Sequence, residues 1–329
     1  MSDVNIMATT KEIKRRIKSV KNTNKITKAM ELVAASKMRR EVSKTLSSRT
    51  YAQFAWAVLQ SLSEMPEGLV HPLLQVRPVE RVLLVLVSSN RGLCGAYNSQ
   101  IFKKMLDHIK HPESLMINRV LGEKIESTIS PDKLVIDFIA IGKKAELALV
   151  RSGQNVMASF NDLPDNLEYR DSIPISKLIL EKYKAEAYDK VAILYTDYVS
   201  AISQIPKIRQ IMPISKTDLE KIIHELDVME HDGIVTTEEE TIDKNDYLFE
   251  PDASKLIEVM TEKLSQMQVY QLLLESKASE ESSRMMAMKN ASEAASEMVD
   301  ELTLIFNKAR QANITQEISE ISAGMASFE

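Results

Sequence analysis

Ser88 to Asn98 reads SSNRGLCGAYN and follows an apolar run, placing two glycines, an arginine and a cysteine in one turn. A turn of this kind can aim backbone N–H groups at a phosphate. Its spacing matches neither G-x-G-x-x-G nor G-x-x-x-x-G-K-[ST]. Gly92 and Gly95 therefore read as residues that let a strand turn tightly into a helix. The five histidines, His71, His108, His111, His224 and His231, are scattered, and none forms an H-E-x-x-H pair. Cys94 is the one cysteine, too few for a structural zinc site or an internal disulfide. No G-x-S-x-G elbow is present. The expectation is no catalytic residue, no metal and no cofactor.

The remaining chemistry is charge. The net charge of −5 conceals an asymmetry. Lys11, Lys14, Arg15, Arg16, Lys18, Lys21, Lys25, Lys28, Lys37, Arg39, Arg40 and Lys44 precede Arg49, opposed only by Glu12, Glu31 and Glu41. The segment from His224 to Asp252 is acidic, with Glu238, Glu239 and Glu240 in a row. A basic helix suits nucleic acid, an anionic membrane or an acidic protein. Nucleic acid fits poorly, since no aromatic residue precedes Tyr51 and no recognition module appears. No apolar run approaches the roughly 20 residues that span a bilayer. The opening MSDVNIMATT resembles neither a signal nor a transit peptide. A lone cysteine suits a reducing cytoplasm.

These charges must be carried by long helices. Only 8 glycines and 10 prolines occur, mostly in the middle third. From Thr9 to about Leu62 the chain reads as one helix, with Thr9 and Thr10 as caps and Glu12 in the first turn. Ile13, Ile17 and Val20 begin its apolar stripe. Ile26, Met30 and Val33 continue it after a shift at Asn22-Thr23-Asn24, and Tyr51, Ala55, Val58 and Leu62 resume it. Met65-Pro66-Glu67-Gly68 ends the helix. From Pro251-Asp252 no proline or glycine occurs until Gly324, which allows a helix of roughly 100 Å. Its stripe is Met288, Ala291, Ala295, Met298, Leu302, Ile305, Ala309 and Ala312, stepping alternately by three and four as a coiled-coil seam does. Glu280 falls on its polar face. Met285, Met286 and Met288 suit either helix packing or an adaptable docking surface. Ile314, Ile318 and Ile321 shift the stripe toward a different neighbour.

Between the helices, strands at Arg81 to Ser88, Val135 to Ile141 and Lys190 to Thr196 alternate with helices at Ala96 to Lys110, Lys143 to Arg151 and Ile175 to Ala187. More extended chain runs on to Ile214. Continuous apolar strands interleaved with helices predict a small, mostly parallel sheet. The expected fold class is α/β: a long antiparallel left-handed coiled coil of the N- and C-terminal helices plus a central Rossmann-like α/β domain. The expected divisions are 8–62, 79–250 with an acidic excursion over 224–250, and 251–326.

Four stretches together resemble the γ subunits of F-type ATP synthases, in the same order. They are Ala8 to Arg40 (ATTKEIKRRIKSVKNTNKITKAMELVAASKMRR), Ser88 to Asn98, Ser203 to Ile214 (SQIPKIRQIMPI) and Ser283 to Gly324 (SRMMAMKNASEAASEMVDELTLIFNKARQANITQEISEISAG). The resemblance implies a non-catalytic rotor subunit that couples a turning membrane ring to ATP synthesis or hydrolysis at the β subunits. Its implied partners are the α and β subunits of the catalytic ring, the ε subunit and the membrane c-ring. It would sit peripherally on the cytoplasmic side of a bacterial plasma membrane. Matching positions imply ring contacts at Lys28, Met30, Arg284, Arg310 and Gln311, with Ile314 to Phe328 in an apolar bearing. The resemblance makes Met7 a candidate start. Against this stand a static coiled-coil adaptor with the same fold and a nucleotide-binding enzyme built on the sheet.

Overall fold

The computed structural model describes residues 10–63, 73, 77–120, 123–126, 130, 133–214 and 253–326. Thr9, Met65 to Gly68, the acidic stretch 224–250 and the tail beyond Ala326 lie outside them, as do the side chains of Tyr51, Ala55, Val58 and Leu62. In order, the elements are α1 (Thr10–Ser63), β1 (Arg81–Val87), α2 (Tyr97–Lys110), a 3-10 turn (Pro112–Leu115), β2 (Ile117–Val120), β3 (Glu123–Glu126), β4 (Val135–Ile141), α3 (Lys143–Arg151), β5 (Val156–Phe160), α4 (Tyr169–Lys184), β6 (Lys190–Tyr198), β7 (Gln204–Met212) and α5 (Ala253–Ala326). Two compact units divide within the long helices: residues 1–36 with 284–329, and residues 37–283.

The α/β unit holds a five-stranded sheet in the order β5-β4-β1-β6-β7. The pairs β4–β5, β1–β4 and β1–β6 are parallel, and β7 closes one edge antiparallel to β6. Both faces are covered, so consecutive residues of β1 are buried in opposite directions. Leu83 and Val85 pack with Ile139, Val191 and Ile193 beneath Ile175, Ile179 and Tyr183 of α4 and Met267, Tyr270 and Leu274 of α5. Leu84 and Leu86 pack with Phe138, Ala140 and Leu194 beneath Ile101 and Met105 of α2 and Ala145 and Leu149 of α3.

Several elements differ from expectation. The strand β5 and the hairpin β2–β3 are additional, and the extended chain after β6 is the ordered edge strand β7. The helix α4 begins six residues before Ile175, upstream of Pro174. The Glu168 N–H donates to Asp171 Oδ2 at 2.9 Å, which closes the first turn and lets the helix form before the proline.

From Leu264 to Ser276 every residue of α5 is buried, including Gln266, Gln268, Gln271 and Glu275. Gln266 and Ser276 within this stretch, and polar residues flanking it, bond to the surrounding unit. Tyr169 Oη donates to Gln266 Oε1 at 2.8 Å, Tyr97 and Ser276 share a hydroxyl bond of 2.7 Å, and Lys184 pairs with Glu262. Ser282 Oγ donates to the Ala201 carbonyl at 2.7 Å, and Ser283 Oγ donates to Gln204 Oε1 at 2.9 Å. Glu280, expected on a polar face, is only 9% exposed, because this part of α5 is a core helix with no solvent face.

In the paired-helix unit, Asn24 Nδ2 donates to the Ser292 carbonyl at 2.6 Å. In the α/β unit, Glu41 acts electrostatically on Tyr270. The partner's number on α5 falls as that on α1 rises, so the two helices run antiparallel.

The buried or half-buried line of α1 is Ile13, Ile17, Val20, Asn24, Thr27, Glu31, Ala34, Met38, Glu41 and Thr45. Its steps alternate four and three throughout, the 3.5-residue repeat of a left-handed coil. The stripe therefore does not shift at Asn24. It runs through polar residues, and Ile26 and Val33 stand outside it at 61% and 55% exposure. On α5 the line is Met288, Ser292, Ala295, Val299, Leu302, Phe306 and Ala309. Met288, Ala295, Leu302 and Ala309 match expectation. The alternate positions fall one residue later, leaving Met298 and Ile305 50% and 43% exposed. A repeat of three and four can start with either step, and side-chain size favoured the wrong one. Burying polar groups in a seam costs little when they are bonded. Asn24 has the Ser292 carbonyl, and Thr27 Oγ1 donates to the carbonyls of Thr23 (3.1 Å) and Asn24 (3.0 Å).

Two expectations follow. A methyl group on Gly142 would lie 2.4 Å from the Ser88 carbonyl oxygen, at a φ of +92°. Gly142→Ala should lower the stability of the full chain by about 2–3 kcal/mol in denaturant titration. An unchanged midpoint would contradict this packing. Separately, Thr27→Lys should lower the melting temperature of the helical signal, whereas Ile26→Lys and Ile305→Lys should cost under about 0.5 kcal/mol. The reverse order would restore the phase read from residue size.

Candidate functional site

The turn Ser88 to Asn98 lies at the C-terminal ends of the parallel strands, where sheets of this kind bind ligands. Here its side-chain hydroxyls and amides are used internally. Ser88 Oγ accepts from the Ala145 N–H at 2.6 Å and Asn90 Oδ1 from the Lys143 N–H at 3.0 Å, so both side chains cap the start of α3. Ser89 Oγ donates to the Arg91 carbonyl at 2.7 Å. Asn98 Nδ2 donates to Ser89 Oγ at 2.7 Å and to Cys94 Sγ at 3.2 Å. Tyr97 reaches Ser276 of α5. The turn is wired as a joint between strand, helix and α5, and Gly95 supplies a φ of +54°.

His108 is buried, 2.8 Å from Ser114 Oγ through Nδ1. Burial, with Lys104 adding to it, lowers its pKa and keeps the ring neutral, as in a core residue. Among the described residues no group of three or more His, Cys, Asp or Glu could hold a metal ion. His71, His224 and His231 lie outside those residues.

The expected ring-contact residues all fall in the paired-helix unit, in two groups. Arg284 and Arg310 are 26 positions apart on α5, about 39 Å along the helix. With Asn24 level with Ser292, Lys28 and Met30 lie within about 10 Å of the level of Arg284. Lys28 is exposed and pairs with Glu31 at 3.0 Å. Met30 is half-buried, and Arg284 is buried. Arg310 and Gln311 are exposed. By the same reckoning Thr10 stands level with about Phe306, so roughly 30 Å of α5 runs past the first described residue of α1. Ile314, Ile318 and Ile321 are exposed on that length.

Two features mark the surface of this unit. Lys11, Lys14, Arg15, Arg16, Lys18, Lys21 and Lys25 are exposed and form no ion pair among the described residues. Between and beside them Ile26, Leu32 and Val33 on α1, and Met298, Leu304 and Ile305 on α5, are large apolar residues left outside the seam. These six were not singled out from the sequence as contact residues. The available signal was doubling: Leu32-Val33, Met298-Val299 and Ile305-Phe306 are adjacent apolar pairs, making a stripe too wide for a two-helix seam.

A sequence model of the ATP synthase family matches residues 9–328. The ATP synthase gamma chain of Coxiella burnetii (strain CbuG_Q212) is 38% identical over 325 residues, covering 98% of this chain and all of the relative. That of Herpetosiphon aurantiacus is 39% identical over 326 residues, covering 97% and 98%. The fold is similar to a chain of the central stalk and c-ring assembly of the Tetrahymena thermophila mitochondrial ATP synthase, with a TM-score of 0.53, 24% identity and coverage of 81% and 99%. It is also similar to a chain of the Euglena gracilis mitochondrial ATP synthase in rotational state 3, with a TM-score of 0.60, 20% identity and coverage of 97% and 94%. Near-complete alignment at this identity, on a fold of two long antiparallel helices and a parallel-dominated sheet, shows that the chain belongs to the ATP synthase gamma chain family.

Proposed function

We propose that this chain is the rotating shaft of a bacterial F-type ATP synthase, carrying torque between a membrane ring and the catalytic β subunits. The observation that carries the reading is the unfinished surface of the paired helices. Six large apolar side chains and a row of unpaired cations stand outside a seam that is already complete. Isolated surface leucines are ordinary, but a two-sided apolar band on a charged helix pair marks an interface. A ring that encloses the helices covers that band and supplies acidic loops to the cations. Such a shaft moves the β subunits only by binding their conformations unequally.

The exposed residues Lys28, Arg310 and Gln311, with Met30 and Arg284, are assigned to ring contacts, and the isoleucines at 314, 318 and 321 to a bearing. Arg310, which is exposed, suits bidentate pairing with a carboxylate. The ε subunit and the c-ring are assigned to the α/β unit. None of the described helices is long and apolar enough to cross a membrane. Attachment to the cytoplasmic face of the membrane therefore runs through the complex. The proposed division of labour is shaft over 8–62 and 251–326, and coupling domain over 79–250. The chemistry is assigned to β, because the turn where a nucleotide would bind uses its polar groups on its own helices.

Three measurements test this. The isolated chain should show no steady ATP turnover; turnover abolished by changing Gly92 or Gly95 would make it an enzyme. Arg310→Ala should leave helix content unchanged and lower coupled turnover of the complex about five-fold, the scale of one charge pair near 1 kcal/mol. Melting of the helices with normal turnover per assembled complex would make Arg310 structural. Rotation itself is tested by Glu293→Cys in a Cys94→Ser background, since Glu293 is exposed where Glu280 is not. A disulfide to a facing β-subunit cysteine should stop multi-turnover hydrolysis and proton-driven synthesis together, and reductant should restore both. A high-yield crosslink with both activities intact would leave a static adaptor.

A further inference from the structure

The loop between β5 and α4 is tied to both long helices through four consecutive residues. Lys277 Nζ of α5 donates to the Pro164 carbonyl at 3.3 Å. Lys37 Nζ of α1 donates to Asp165 Oδ2 at 2.8 Å. Lys44 Nζ, also of α1, donates to Asn166 Oδ1 and to the Leu167 carbonyl, each at 2.7 Å. Arg91, from the turn after β1, stands 3.9 Å from the same Asp165 carboxylate. All of these residues belong to the α/β unit.

The loop is itself fixed at both ends. Asn161 Nδ2 donates to Glu146 of α3, Leu167 is buried in the core between sheet and helices, and Glu168 enters the closed first turn of α4. It is a rigid bracket with lysines from α1 on one side and a lysine from α5 on the other. The Lys37 bond, opposed by partial burial, holds the Asp165 carboxyl below the usual carboxylate range, so the bracket is ionised at neutral pH.

The two helices do not need it equally. α5 is surrounded by the core over Leu264 to Ser276, so the unit grips it on every side. α1 buries only Met38, Glu41 and Thr45 among residues 37–47, one narrow line. Apolar packing along one line resists separation, but it resists sliding and rolling weakly. Hydrogen bonds depend steeply on distance and angle, so they fix axial position and rotation.

We propose that Pro164 to Leu167 form a torsional clamp, which sets the angle of α1 against the sheet and makes α1 turn with α5 when the α/β unit is driven. This deepens the rotor reading and rests on it. Lys37, Lys44, Asp165 and Asn166 are positioning residues: they touch no substrate and act through the helix they hold.

The test uses the assembled complex, immobilised by its ring, with a probe attached to the α/β unit. Asp165→Ala combined with Lys44→Met should leave ATP turnover within about two-fold. It should widen the angular spread of the probe at each pause by roughly a factor of two, as expected when one of two parallel restraints is lost. Asp165→Glu combined with Lys44→Arg, which keeps both charges, should hold the spread close to that of the unmodified complex, which a merely disrupted fold would not do. An unchanged spread in assembled complexes overturns the clamp. In the isolated full chain the double substitution should speed amide exchange over residues 37–47 about five-fold and leave β1 and β6 unchanged. Unchanged exchange over 37–47 also overturns it. If the unmodified complex does not rotate, the rotor reading falls, and the exchange measurement still decides whether the bracket holds α1.

Discussion

The backbone of α5 satisfies its own hydrogen bonds from Ala253 to Ala326, with no proline and, before Gly324, no glycine to interrupt the ladder. A helix of that length cannot be hidden in one domain, so its surroundings must change along it. Where it crosses the α/β unit it is buried on every side, and Gln266, Ser276, Ser282 and Ser283 point in different directions to find partners on α4, α2 and the β6–β7 turn. Further along it offers only one line to α1 and leaves the rest exposed. The sheet, the strand-end turns and the bracket at residues 164–167 are arranged around this one uninterrupted element.

The same constraint separates the two kinds of surface. Side chains of the α/β unit are largely committed to its own structure, down to the hydroxyls and amides of the turn after β1. The paired helices are committed along the seam alone. The turn at the strand ends spends its side-chain hydroxyls and amides on holding α2, α3 and the strand end together. Capacity for binding lies along the helices, as cations and apolar side chains rather than as a pocket.

How much of this was legible in the sequence depends on whether one residue type has one use. RVLLVLV, VIDFIAI and KVAILYT announce strands because both of their faces are buried. VMASF does not: it is five residues long, half-buried, and lies at an edge. The ends of α2 and α3 were readable from periodicity and turn residues, whereas the start of α4 was masked by Pro174. In the coil, the size of Ile26, Val33, Met298 and Ile305 pulled the expected seam toward residues that face outward. Asn24, which bonds across the seam to Ser292, looked like part of an interruption. A sequence shows that a side chain is apolar, not which of two neighbours will cover it. The proposed contact residues Lys28, Arg284, Arg310 and Gln311 had no local signal of their own and came into view through family resemblance.

The large apolar side chains left outside the seam have a consequence for the chain on its own. Asn24 bonds to Ser292 across the seam, while Ile26, Leu32, Val33, Leu304 and Ile305 stay exposed beside it. A partner that covered those side chains would stabilise the folded pair by mass action. A newly made chain without that partner presents those exposed apolar side chains to chaperones and proteases.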